Sequence, residues 1–236
     1  MKLNISETKL EVAKSFAKYL QVLVAKNPEV HIALSGGSTP KVVFDELATN
    51  FRNSIDWPRV YLYWGDERCV PPNDNESNYK MTVDHLLSKI DIPEENVHRI
   101  HGENIPKEEA IRYGEVLKSR LPLFEGVPQF DLMILGMGDD GHTASIFPYN
   151  IHLWDSGNVC EVAVHPDSGQ KRITITGKVI NNAKNVAFLV TGDSKTDKVR
   201  EIIGKKGNFN AYPAALVAPE SGNLDWFLDG AAAGEL

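Results

Sequence analysis

The chain has 236 residues, 42% of them hydrophobic, which is enough apolar material for a sizeable α/β core. A formal net charge of −7, with no block of Lys and Arg, excludes a general nucleic-acid binder. Cys69 and Cys160 are the only cysteines; they have no metal-type spacing and fit a reduced, cytoplasmic protein.

In chain order, Leu10, Ala13, Phe16, Ala17, Leu20 and Leu23 recur at the spacing of an amphipathic helix over 6–26. Glu7, Lys9, Glu11, Lys14 and Lys18 interrupt it too often for a signal peptide or a membrane span, and the helix stops before Asn27-Pro28. Residues 30–34 read as a short strand, followed by Ser35-Gly36-Gly37-Ser38-Thr39-Pro40. Thr39 suits an N-cap and Pro40 the first position of a helix over 41–49. A strand, a glycine turn and a helix start together form a ready anion site, although the Walker spacing is missing.

Residues 59–64 form a second strand pattern, ending in Gly65-Asp66-Glu67-Arg68. Helical patterns cover 78–90, 107–121 and 196–203, the last closed by Gly204, and 96–100 suits a further short strand. Phe130-Asp131-Leu132-Met133-Ile134-Leu135 is an apolar run leading into Gly136-Met137-Gly138-Asp139-Asp140-Gly141-His142 and on to Pro148. Residues 158–164 and 171–176 read as a hairpin or a mixed part of the sheet, with Arg172 opening the second run. Residues 185–190 are another strand, ending in Thr191-Gly192-Asp193-Ser194-Lys195. Residues 212–217 suggest a strand and 224–228 a short amphipathic end. No repeat or linker interrupts the chain, so one domain is expected over 1–236.

Strands alternating with helices predict a mostly parallel sheet with right-handed crossovers. Four polar, glycine-bearing loops then share its C-terminal edge, where open α/β sheets place ligand chemistry. Gly136, Gly138 and Gly141 match the dinucleotide fingerprint, but Asp139 and Asp140 put negative charge where a pyrophosphate would lie. No metalloprotease motif or paired Cys/His cluster is present; His98 and His101 form an isolated pair, and no G-x-S-x-G marks a serine nucleophile. What remains is His142, Asp140, Asp66, Arg68 and Lys195 around one or two anion-binding turns. A histidine without a neighbouring nucleophile suits activation of water or proton transfer. The residues alone imply an enzyme acting on a phosphorylated metabolite.

The stretches 35–40, 64–68, 77–78, 136–148, 172–174 and 192–195 together resemble the family of 6-phosphogluconolactonases and glucosamine-6-phosphate deaminases, in family order and over most of the chain. The resemblance implies a Rossmann-like three-layer α/β/α fold, similar to ribose-phosphate isomerases and coenzyme A transferases. It implies hydrolysis of 6-phosphoglucono-δ-lactone, the second step of the oxidative pentose phosphate pathway. By the same resemblance Gly36, Gly37, Ser38 and Thr39, with Arg68 and Lys195, hold the phosphate, and Arg172 joins them. Asp66 holds substrate or orients Arg68. His142 is the general base, with Asp140 as its orienting neighbour. The implied enzyme needs no metal or other cofactor and acts as a cytoplasmic monomer on a small phosphorylated lactone, with no nucleic acid or membrane as partner.

Two other readings stay open at this stage. Deaminases carry a glutamate where this chain has Phe147 before Pro148, and tend to Asp-Glu-Tyr where it has Asp66-Glu67-Arg68. The stretch 176–180 also lacks the proline expected of many lactonases. A non-catalytic sugar-phosphate sensor has a related fold but is normally fused to a helix-turn-helix, for which 1–29 offers no room.

Overall fold

The computed structural model describes residues 1–234 and Leu236. It opens with a strand that the apolar pattern did not announce, β1 (Lys2–Ser6), followed by α1 (Lys9–Lys26). Thr8 caps α1 and Glu11 returns a carboxylate to the Thr8 N–H, a reciprocal capping box that fixes the start of the helix. Next come β2 (Val30–Leu34), α2 (Ser38–Glu46), β3 (Val60–Trp64), β4 (Asp66–Arg68), α3 (Asn78–His85), β5 (Val97–His98) and α4 (Pro106–Arg120). A small hairpin, β6 (Leu123–Phe124) and β7 (Val127–Pro128), leads to β8 (Leu132–Leu135). The chain continues through β9 (Cys160–Val164), β10 (Lys171–Ile175), α5 (Gly177–Asn181), β11 (Val186–Val190), α6 (Thr196–Ile203), β12 (Leu224–Asp229) and α7 (Gly230–Ala233).

Seven strands form one sheet in the order β1-β12-β11-β8-β2-β3-β5, every pair parallel, with helices on both sides. This is the three-layer α/β architecture expected. β2, β8 and β11 are buried at every position because both faces are covered, so their sequences are apolar runs without alternation. The order reverses between β2 and β8. From β2 the chain builds outward to β3 and β5; from β8 it builds the other way, to β11 and β12. The crevice above that reversal is the natural ligand position of an open sheet.

A second sheet, β4-β10-β9, is antiparallel and grows directly from the first. Gly65 is the single residue between β3 and β4, and it serves both sheets. Its N–H donates to the Leu34 carbonyl (2.9 Å) and its carbonyl accepts from the Ile175 N–H (2.9 Å). Buried Tyr113 on α4 holds the same corner: its hydroxyl donates to the Trp64 carbonyl (3.0 Å) and accepts from the Trp64 N–H (2.9 Å). The 158–176 region is therefore a hairpin that belongs to its own sheet.

Several boundaries differ from expectation. The N-cap of α2 is Gly37, not Thr39; the Thr39 hydroxyl instead meets the Thr191 hydroxyl at 2.7 Å, tying the loop after β2 to the loop after β11. The 41–49 helix starts earlier and relaxes into a wider turn at Leu47–Phe51. Residues 213–216 are a 3-10 turn rather than a strand, started by Pro213. The amphipathic end at 224–228 is β12, an interior strand whose Trp226, Phe227 and Leu228 are buried between β1 and β11. Gly204 closes α6 with φ −77°; the left-handed residue is Lys205, at φ 50°. Among the described residues no helix is long and apolar enough to cross a membrane.

Candidate active site

A cleft of about 200 Å³ lies over the β2/β8 reversal. Gly36, Gly37, Ser38, Thr39, Asp66, Arg68, His142, Arg172 and Lys195 all line it, and Asp140 touches it through His142.

The loop after β2 is shaped by its glycines. A Cβ on Gly36 would lie 1.8 Å from Asn78 Oδ1, and Gly37 has φ 107°, a conformation that favours glycine. Together they let the chain turn directly into α2. No side chain caps that helix, so its first N–H groups are left for an incoming anion.

Arg68 and Arg172 face each other across the β4/β10 ladder. Like charges directly opposite one another destabilise a sheet, and an anion held between the two would relieve that repulsion. Among the described residues neither guanidinium lies within ion-pair distance of a carboxylate. Arg68 donates from Nη1 to the Glu76 carbonyl (2.5 Å) and its buried Nε has no partner. Arg172 donates to Gln170 Oε1 (3.3 Å) and Ser145 Oγ (3.5 Å), and its guanidinium lies 5.7 Å from the centre of the Phe147 ring. Burial, then the charge of Arg68, draw Arg172 below the usual guanidinium range, with Asp66 opposing.

The loop after β8 carries the imidazole. Gly138 leaves room for it: a Cβ there would lie 2.1 Å from His142 Nδ1. Asp140 Oδ1 accepts from the His142 backbone N–H (3.0 Å) and lies 2.6 Å from the ring Nδ1. A carboxylate at that position selects the tautomer with its proton on Nδ1, which leaves the Nε2 lone pair free. Partial burial works against the Asp140 charge, but the hydrogen bonds from the His142 ring and backbone outweigh it and hold the carboxyl below its ordinary range. On its other side the ring packs against Phe147, buried, with centroids 4.5 Å apart. No α-helix follows this loop; 148–155 is a chain of 3-10 turns, so the dinucleotide geometry is absent. Ala144 takes φ 48°, a strained conformation for a residue with a Cβ, of the kind that clusters at functional sites.

Asp66 does not bond to Arg68. Its Oδ2 accepts from Ser145 Oγ (2.7 Å) and its Oδ1 from Asn78 Nδ2 (3.5 Å), so it joins the β8 loop to the start of α3. Lys195 enters from the loop after β11 and pairs with Asp139 at 2.5 Å.

Three contributors lay outside the candidates drawn from sequence. Asn78 fills the space above Gly36 and donates to the Asp66 carbonyl (3.0 Å). Ser145 bridges Asp66 and Arg172. Glu67, buried, accepts from the backbone N–H of Arg68, Asn78 and Tyr79 (2.8 Å each) and from Ser77 Oγ (3.0 Å), which anchors α3 beneath the arginine loop. Burial raises the Glu67 carboxyl above its usual range against these four bonds. Asn78 follows an evident N-cap serine; nothing local marks Glu67 or Ser145.

The model of the family described as glucosamine-6-phosphate isomerases/6-phosphogluconolactonase matches residues 4–226. A 6-phosphogluconolactonase of Haemophilus influenzae is 46% identical over 223 residues, covering 94% of this chain and 92% of its own. That of Treponema pallidum is 44% identical over 202 residues, covering 86% and 84%. The solved 6-phosphogluconolactonase of Trypanosoma brucei superposes with a TM-score of 0.87 at 29% identity, covering 100% of this chain and 98% of the other.

Proposed function

Because the chain belongs to the family of glucosamine-6-phosphate isomerases and 6-phosphogluconolactonases, we propose that it hydrolyses 6-phospho-D-glucono-1,5-lactone to 6-phospho-D-gluconate, with His142 as the general base. The observation that carries this reading is a histidine with Asp140 on its Nδ1, in the same cleft as two arginines that have no carboxylate in ion-pair reach among the described residues. The substrate phosphate lies between the Gly36–Thr39 turn and the cations Arg68, Arg172 and Lys195, which brings the lactone carbonyl toward His142.

The chemistry then needs few parts. Nε2 of neutral His142 accepts a proton from a water as its oxygen bonds to the lactone carbonyl carbon. The tetrahedral intermediate collapses, the bond from that carbon to the ring oxygen breaks, and the imidazolium returns the proton to the departing oxygen. Asp140 keeps Nδ1 protonated and stabilises the imidazolium while it exists. Asp66, held by Ser145 and Asn78, positions the β8 loop against α3. No metal is assigned a part; among the described residues no three His, Cys, Asp or Glu side chains gather as a metal site requires. The same proposal takes the enzyme to act in the cytoplasm as a monomer.

Phe147 separates this reading from the deaminase. It lies against the His142 ring, where an uncharged phenyl offers no carboxylate to assist ring opening. The test is turnover of freshly prepared lactone alongside ammonia release from glucosamine 6-phosphate. Lactone consumption without ammonia is expected; ammonia release would move the assignment to the deaminase, and binding without turnover would make the protein a sensor.

A further inference from the structure

Among the described residues Lys195 is the one Lys or Arg of the cleft that is already paired with a carboxylate. Its ammonium lies 2.5 Å from Asp139 Oδ1, and the same oxygen accepts from Ser194 Oγ at 3.0 Å. The two partners differ in exposure: the Lys195 side chain is 20% exposed and that of Asp139 is 70% exposed. The lysine is therefore seated in the cleft, while the carboxylate reaches in from the rim and can rotate back into water. Asp139 also neighbours Asp140, whose like charge acts on it, and Lys195 relieves that repulsion. A phosphate that takes Lys195 leaves Asp139 beside a second anion and drives it outward.

We infer that Asp139 is an intramolecular competitor for the phosphate: its carboxylate holds Lys195 while the cleft is empty, must be displaced when the phosphorylated ligand enters, and recaptures the lysine when the product leaves. The inference rests on the phosphate site proposed above. It gives Asp139 a positioning role, exerted through Lys195, that differs from the role of its neighbour. Asp140 faces inward to the imidazole, whereas Asp139 faces Lys195 across the mouth of the cleft. Reaction at the lactone carbonyl does not touch the phosphate, so the product carries the same anion as the substrate. A built-in competitor therefore weakens both alike and keeps the product from occupying the enzyme.

The test is a double-mutant cycle read by calorimetric titration with inorganic phosphate and with 6-phosphogluconate, on the full chain. Asp139→Asn should bind both about three- to tenfold more tightly, the range of an ion pair between exposed and half-buried groups. In a Lys195→Ala background the same substitution should make no difference. KM for the phosphorylated lactone and the inhibition constant of the product should fall together in Asp139→Asn, a pattern that a merely structural role would not give. Unchanged or weaker binding by Asp139→Asn, where native binding still depends on Lys195, overturns the inference alone. An equal gain in the Lys195→Ala background also overturns it, since the effect is then one of general charge. Phosphate binding that ignores Lys195 in every background overturns the phosphate site and the inference with it.

Discussion

Two arginine pairs, built from the same residue types, have opposite fates in this molecule. Arg68 and Arg172 lie opposite each other on adjacent strands with no carboxylate in ion-pair reach among the described residues. Arg99 and Arg112 are each closed by a glutamate: Arg99 donates to both oxygens of Glu103 (2.9 and 2.7 Å), and Arg112 to both oxygens of buried Glu109 (2.7 and 2.6 Å). Glu109 also accepts from the His101 N–H and from Asn104, so this second cluster fastens the 99–104 loop to α4.

The histidines divide the opposite way, with the carboxylate partner inside the cleft. His142 has a carboxylate on Nδ1 and faces the cleft. His98 and His101 have cationic neighbours instead; burial first, then Arg120 for His98 and Arg112 and Arg99 for His101, lower both below the usual imidazole range. His98 stacks on Tyr63 at 4.8 Å. For the arginines, completed charge holds structure together, and charge left incomplete in a cleft is available to a ligand.

The largest expected effect breaks the site side of this comparison. His142→Ala should lower the turnover number by roughly 10²–10⁴ with little change in KM, since the phosphate contacts proposed above do not involve the imidazole. Near-native hydrolysis would remove His142 from the chemistry.

Next come the arginines, where the two pairs should separate cleanly. Arg172→Ala should raise KM by roughly 10- to 100-fold, the equivalent of a charge-assisted contact of about 1.5–3 kcal/mol. Its melting temperature should hold or rise, because a like-charge pair is relieved. Arg112→Ala should do the reverse, losing on the order of 1–3 kcal/mol in denaturant unfolding as Glu109 is stranded, while KM stays put. If both variants lose stability and neither loses affinity, the distinction between the pairs fails.

A smaller effect concerns acid stability. Arg99 lowers the Glu103 carboxyl from its usual 4.5 to about 2. A depressed carboxyl contributes stability that is fully present above the unfolded value and is lost as pH falls through the folded one. Stability should therefore decline between about pH 4.5 and 2, and Glu103→Gln should flatten that part of the profile. The pair is partly exposed, so screening keeps the effect small, and high salt should reduce it further. The smallest expected effect is none: prolonged chelation should leave lactone turnover unchanged, and a loss restored by zinc or magnesium would reveal a missed site.

Much of this was legible in the chain because it is local. Apolar runs at 30–34, 59–64, 130–135 and 185–190 announce buried parallel strands, and the glycine turns after them announce loops that approach a ligand. His142 and Asp140 are two residues apart, so their pairing follows from one turn. β1 was not announced, because it is a half-exposed edge strand with polar positions, and β12 read as a short amphipathic end, because Asp225 and Asp229 break its apolar run.

The sequence by itself determined the element types along most of the chain, the glycine turn at Gly36–Thr39 and the imidazole loop. Only the tertiary structure decided which charges remain unpaired. Arg68 meets Arg172, Ser145 meets Asp66 and Lys195 meets Asp139 across separations of 104, 79 and 56 residues, set by strand register and by the β2/β8 reversal. Arg99 and Arg112 meet their glutamates within four residues, inside one loop and one helix turn. Local pairing is written in the spacing of residues; whether a distant charge finds a partner depends on the sheet that brings the loops together.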